Sequence, residues 1–249
     1  MPQKTALVVS AHSADFVWRA GGAIAAHAAQ GYAVTVVCLS FGERGESAKL
    51  WRKPGMTLET VKNDRRREAE NAAKALDVHD LRFYDLGDYP MRVTPEAFDA
   101  LVDLYRKIRP EFMLTHSRQD PYNFDHPMAT EFAQHARVIA QAHGHKPGET
   151  VLGAPPVYLF EPHQPEQCNW KPNVLLDITP VWEKKLTAIK CMEGQEHLWE
   201  YYTRVALQRG AQASRNSDYK IKYGEGYEAV FPHVTGTLGH GALAAGAVS

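Results

Sequence analysis

The stretch Ala6-Leu7-Val8-Val9-Ser10-Ala11-His12-Ser13-Ala14-Asp15 decides how the rest of the chain is read. Its apolar run predicts a buried parallel strand, and the helical pattern through Gly21-Gly22 that follows puts His12 and Asp15 just past the strand's carboxyl end. Open α/β sheets bind their ligands at that edge. A histidine and a carboxylate three residues apart on a tight turn can aim a ring nitrogen and an oxygen at one divalent ion about 2 Å away. The same pair also fits a turn histidine beside an aspartate that caps a helix.

Outward from this stretch, strand and helix patterns alternate. Residues 17–30 predict a helix that stops at Gly31, and residues 33–40 a second strand, which makes a βαβ unit with a right-handed parallel crossover. Helical patterns follow at 61–76, 95–108 and 127–143, and strands at 81–85, 111–115, 157–160 and 174–178. Thr179-Pro180 opens a further helix. This order predicts one doubly wound α/β domain over residues 1–234, with the small-residue segment 235–249 as a flexible tail.

A chain of 249 residues suffices for one such domain, and 44% hydrophobic with 23% charged residues fits an ordinary soluble enzyme. The net charge of -1 creates no field that would draw in nucleic acid or anionic lipid, so an anionic substrate must meet local cations. No apolar run approaches the roughly 20 residues of a membrane span. Met1-Pro2-Gln3-Lys4 leads straight into a strand with no signal-peptide core, so a cytoplasmic location is expected. Cys38, Cys168 and Cys191 stand apart, without the spacing of a disulfide framework or a thiolate zinc site.

Downstream, Thr115-His116-Ser117-Arg118-Gln119-Asp120-Pro121-Tyr122-Asn123-Phe124-Asp125-His126-Pro127 again follows an apolar run. Together with the Ala-His-x-x-Asp turn and Arg65-x-x-Glu68-x-x-x-Ala72, this segment resembles the LmbE-like family, also called PIG-L or N-acetylglucosaminyl deacetylases. The resemblance implies a Rossmann-like three-layer sandwich with a mostly parallel sheet. It also implies one Zn2+ held by His12, Asp15 and His126. The family motif reads Ala-His-Pro-Asp-Asp-Glu, whereas this chain has Ser13, Ala14 and Phe16. Ala14 stands where the family's general base belongs, and loss of a positioned base typically costs about 10²- to 10⁴-fold in rate.

The run His12-Ser13-Ala14-Asp15-Phe16 and the segments 39–47, 161–168 and 194–202 resemble a hydratase branch of the same family. That likeness implies reversible addition of water to a small conjugated tricarboxylate in aromatic-acid catabolism. A deacetylase of an amino-sugar conjugate and a non-catalytic metal- or acid-binding protein are the competing classes. Ala14 counts against the first, and the second leaves Glu46 and His163 without a role.

Hydration of a conjugated double bond needs a base for water, an acid for carbon, and positive charge where electrons collect. Glu46, on a glycine-bearing loop after the second strand, is expected as the base, with Glu43 its competitor. His163, just past the strand at 157–160, is expected as the proton donor, although the two roles can be exchanged. Asp125 orients an imidazole, approaches the metal itself, or caps the helix that Pro127 begins. Arg44, Arg65, Arg118 and Arg204 are candidates for bidentate carboxylate contacts, and Lys49 for a point charge. His116, Tyr122 and Asn123 lie on the expected site loop and are candidates to bind substrate. Trp199, Tyr201 and Tyr202 read as packing or as a subunit interface, which leaves a homo-oligomer open.

Overall fold

The run TALVVS forms a central strand, β1 (Thr5–Ser10), because both of its faces are apolar: Ala6 and Val8 point to one side, Leu7 and Val9 to the other, and all four are buried. The computed structural model describes residues 3–234, and the expected tail at 235–249 lies outside the described residues. After β1 come α1 (Asp15–Ala29), β2 (Ala33–Cys38), α2 (Ala48–Trp51), α3 (Leu58–Ala75), β3 (Asp80–Phe83), α4 (Pro95–Ile108) and β4 (Phe112–Thr115). The second half holds α5 (Asp125–Ala140), β5 (Val157–Phe160), β6 (Val174–Asp177), α6 (Trp182–Lys190), α7 (Trp199–Ser214) and β7 (Gly224–Ala229).

The strands form one sheet in the order β3-β2-β1-β4-β5-β7-β6. Pairing is parallel from β3 to β5, with Leu7 opposite both Thr35 and Met113, and only β7 runs against its neighbours. Ala6 and Val8 pack under α1, α3, α6 and α7, whereas Leu7 and Val9 pack under α4 and α5. Two helical layers thus sandwich the sheet, as expected. Burying each such Leu or Val contributes about 1.5–3 kcal/mol.

Helix starts follow local chemistry. Thr94 accepts from the Ala97 amide with Pro95 at the first turn of α4, and Thr57 and Thr60 form a capping box that begins α3 three residues ahead of its apolar pattern. Thr179-Pro180 opens a 3-10 turn, Thr179–Val181, that runs into α6.

Apolar patterning does not predict β7, because its buried side chains include a charge. Glu225 accepts from Lys185 Nζ at 2.5 Å, from the Gly22 and Ala23 amides at 2.7 Å each, and from the Tyr227 hydroxyl at 2.6 Å. These donors offset the desolvation of a carboxylate and tie β7 to α1 and α6. They also require glycine at 22, where a Cβ would sit 2.8 Å from Glu225 Oε1.

From β1 the chain builds outward through β2 and β3, then crosses back to β4 and β5 on the other side. The carboxyl ends of β1 and β4 therefore flank the switch point, where such sheets open a crevice. Among the described residues no helix is long and apolar enough to cross a membrane.

Candidate metal centre and active-site cleft

His12 leaves the end of β1 and Asp15 begins α1, and the His12 amide donates to Asp15 Oδ2 at 2.9 Å, closing the turn between them. His12 Nδ1 lies 3.1 Å from Asp15 Oδ2 and 3.2 Å from Glu46 Oε1. His126 Nε2, brought in at the start of α5, lies 3.6 Å from Asp15 Oδ1 and 3.9 Å from Glu46 Oε1. Donor atoms of all four residues fall within 4.8 Å of one another. Ligands at about 2 Å around a tetrahedral ion stand roughly 3.3 Å apart, so the group fits one small divalent cation.

Two buried atoms of this group, His126 Nε2 and Glu46 Oε2, have no hydrogen-bond partner among the described residues. An unmet buried polar atom costs about 1–3 kcal/mol, and an ion at this point would satisfy His126 Nε2. Burial alone would lower the pKa of His12. The charge of Glu46 outweighs it, joined by Asp125 and Asp15, and the imidazole stays protonated well above its ordinary range. Burial would likewise raise Asp15, yet His126 and His12 hold it well below the usual carboxylate range. The cluster therefore carries excess negative charge that attracts a cation.

Each imidazole is held from behind. His12 Nε2 meets Asp125 Oδ2 at 3.3 Å, and Asp125 also accepts from the Tyr89 and Met91 amides at 3.0 Å each. Asp125 does not cap α5, whose N-cap is Phe124 with no side-chain bond; its side chain turns to His12 instead. His126 Nδ1 meets Asp120 Oδ2 at 2.8 Å. His116 Nε2 accepts from the Ala11 amide at 2.9 Å, and its ring stacks on His126 at 4.2 Å. Burial first, then His126, pushes the pKa of His116 well down, leaving a neutral prop.

Glu46 reaches the cluster because the loop after β2 doubles back over His12. Gly42 has φ +68°, and a Cβ there would stand 3.2 Å from His12 Cβ and 3.3 Å from Glu46 Cβ. Asp88 anchors the loop by accepting from the Arg44 and Gly45 amides at 2.9 and 2.7 Å. Glu46 Oε1 accepts from Asn123 Nδ2 at 3.2 Å, and His12 holds its pKa below the ordinary value against the effect of burial. Glu43 bonds instead to the Phe41 amide and to Arg44.

A cleft of about 190 Å³ opens over this cluster, and Arg19, Tyr122, Asn123, His163, Gln195 and Tyr202 help to line it. His163 packs against the Tyr201 ring at 4.3 Å, and burial, then Arg19, lowers its pKa. Tyr202 stacks on Trp18 at 5.2 Å, so it is a cleft wall as well as packing.

The expected carboxylate anchors are placed otherwise. Arg44 turns to Glu43 and Asp88, Arg118 to Glu228, Arg204 to Glu200 and Lys49 to Glu196, and none of the four lines this cleft, since each meets a nearer carboxylate. Arg65 is fully buried and donates to Glu68 Oε2 at 2.6 Å and to Gln195 Oε1 at 2.8 Å, so it acts on the cleft through Gln195. Sequence reasoning passed over Arg19, Asp120 and Gln195. Only Arg19 had a usable signal, since a residue four after Asp15 shares its helix face.

A doubly wound sheet that delivers a His/Asp/Glu/His cluster to its switch-point crevice defines an α/β protein with a candidate metal centre. Residues 7–137 match the family model described as PIG-L, GlcNAc-PI de-N-acetylase, and the chain belongs to that family. It is 66% identical over 241 residues to the 4-oxalmesaconate hydratase of Pseudomonas putida, covering 95% of this chain and 93% of that one. The crystal structure of a 4-carboxy-2-hydroxymuconate hydratase from the same species matches with a TM-score of 0.93 at 65% identity, covering 95% of this chain and 100% of that one. The diacetylchitobiose deacetylase of Thermococcus kodakarensis is 26% identical over 243 residues, covering 93% of this chain and 86% of the relative.

Proposed function

We propose that this chain is a hydratase that adds water reversibly to 4-oxalomesaconate, giving 4-carboxy-4-hydroxy-2-oxoadipate, in the breakdown of gallate and related aromatic acids. The observation that carries this reading is the 66% identity, across 95% of the chain, to a 4-oxalmesaconate hydratase. The names of the two hydratases describe the keto and enol tautomers of one tricarboxylate. Ala14 supports the reading, because the position where deacetylases of this family keep their base is a fully buried methyl in an apolar cluster. A cytoplasmic location goes with this function.

In this reading Zn2+ is held by His12, Asp15 and His126, and when bound it supplies Lewis-acid polarisation of a substrate oxygen. Asp125 and Asp120 keep the two imidazoles in the orientation that binding requires. Glu46, ionised and with Oε2 unpartnered, takes the proton of the attacking water. The hydroxyl bonds to the carbon bearing the middle carboxylate, and His163 delivers a proton to the neighbouring carbon.

Purified protein should hydrate 4-oxalomesaconate, lose that activity to a chelator, and leave N-acetylglucosamine conjugates intact. Deacetylation without hydration would overturn the proposal. Glu46→Gln and His163→Asn should each lower kcat by about 10² or more with zinc retained. A near-normal kcat at saturating substrate removes that residue from the mechanism, and zinc lost from Glu46→Gln makes Glu46 a ligand instead.

A further inference from the structure

Among the described residues, Arg19 is the only lysine or arginine lining the cleft, and it stands among three carboxylates, Asp15, Glu46 and Asp120. It lies one turn beyond Asp15 on α1, so the same helix face presents the cluster and the guanidinium. The side chain is buried, at 5% exposure. Nε donates to Asp15 Oδ1 at 3.3 Å and Nη1 to the Glu161 carbonyl at 2.9 Å, while Nη2 has no hydrogen-bond partner among the described residues. The carboxylate of Glu161 is not available to neutralise it, because Arg209 grips that group with both Nε, at 2.7 Å, and Nη2. Asp15 is shared with His12 and His126, so it does not fully balance Arg19 either.

A cation fixed by two contacts, desolvated, and left with Nη2 unpartnered is pre-organised to receive an anion. A carboxylate meets that description, whereas a neutral amide or sugar hydroxyl offers no charge to balance the guanidinium. We propose that Arg19 binds one carboxylate of the tricarboxylate substrate and thereby selects it over neutral acylated sugars. The proposal rests on the hydratase reading for the identity of the substrate but not for the presence of an anion site. Arg44, Arg118, Arg204 and Lys49 are drawn to carboxylates elsewhere, so this task falls to a residue in the first helix.

The test compares wild type, Arg19→Gln and Arg19→Lys for metal content, for KM and kcat on 4-oxalomesaconate, and for inhibition by the inert propane-1,2,3-tricarboxylate. Arg19→Gln should raise KM and the inhibition constant by about 10- to 100-fold, with zinc content unchanged and kcat altered much less. Arg19→Lys should fall between, since it keeps the charge and loses the planar fork. It decides the question should Arg19→Gln not fold. Wild-type KM and inhibition in both variants would overturn the proposal. So would a defect that zinc addition fully repairs, because Arg19 would then only brace Asp15. Arg19-dependent binding of the inhibitor by a wild type that does not hydrate 4-oxalomesaconate would uphold the anion site and overturn the hydratase reading alone.

Discussion

His12 Nε2 lies 3.3 Å from Asp125 Oδ2, and that carboxylate is itself fixed by the amides of Tyr89 and Met91. The contact joins the end of β1 to the start of α5, and leaves Nδ1 of the same ring directed at Asp15 and Glu46. A carboxylate behind a histidine sets its tautomer and raises its basicity as a ligand.

Asp125→Ala should therefore weaken metal binding by about 10- to 100-fold without removing a proposed ligand. Competition against a calibrated chelator measures this. Unchanged affinity would show that Tyr89 and Met91, not the imidazole, are what Asp125 serves.

Metal removal should lower thermal stability, since a ligand at about 1,000 times its dissociation constant contributes roughly 4 kcal/mol. His126→Ala should lose most of the metal and the activity while keeping its far-UV dichroism, and its melting temperature should no longer respond to chelator. The raised pKa of His12 sets the pH dependence. A proton competes with the ion until that pKa is passed, so apparent affinity should climb as pH rises through and beyond about 6.5, the ordinary histidine value. A flat affinity over that range would exclude His12 as a ligand.

Ala14→Asp should not raise the hydration rate. Ala14 is fully buried and is not among the residues lining the cleft, whereas Glu46 is. Steady-state assay of the variant decides, and a clear gain would mean that a carboxylate at 14 still reaches the reacting water.

The lowered pKa of His163 allows its role to be read from a pH profile. As proton donor it must be charged, so kcat/KM should fall as pH rises through a value below about 6.5. This limb should vanish in His163→Asn. A limb that rises over the same interval would make His163 the base and Glu46 the donor.

The sequence by itself determined the alternation of strands and helices through β6, the placing of His12, Asp15 and Glu46 at one sheet edge, and the return of His126 to that edge. These rest on apolar periodicity and on the rule that parallel strands present their carboxyl ends together, both of which are local or topological. Only the tertiary structure decided which charges face the cleft. Arg19 and Arg44 look alike as residues, but one lies on the helix face beside Asp15 and the other is pulled toward Glu43 and Asp88. Asp120 and Asp125 both precede His126, yet Asp120 braces His126 and Asp125 braces His12, 113 positions away. β7 stayed hidden because its buried Glu225 breaks the apolar pattern and is satisfied by donors more than 150 residues apart in sequence, on α1 and α6. A buried charge is stable only through partners that folding assembles, and no pattern along the chain records who they are.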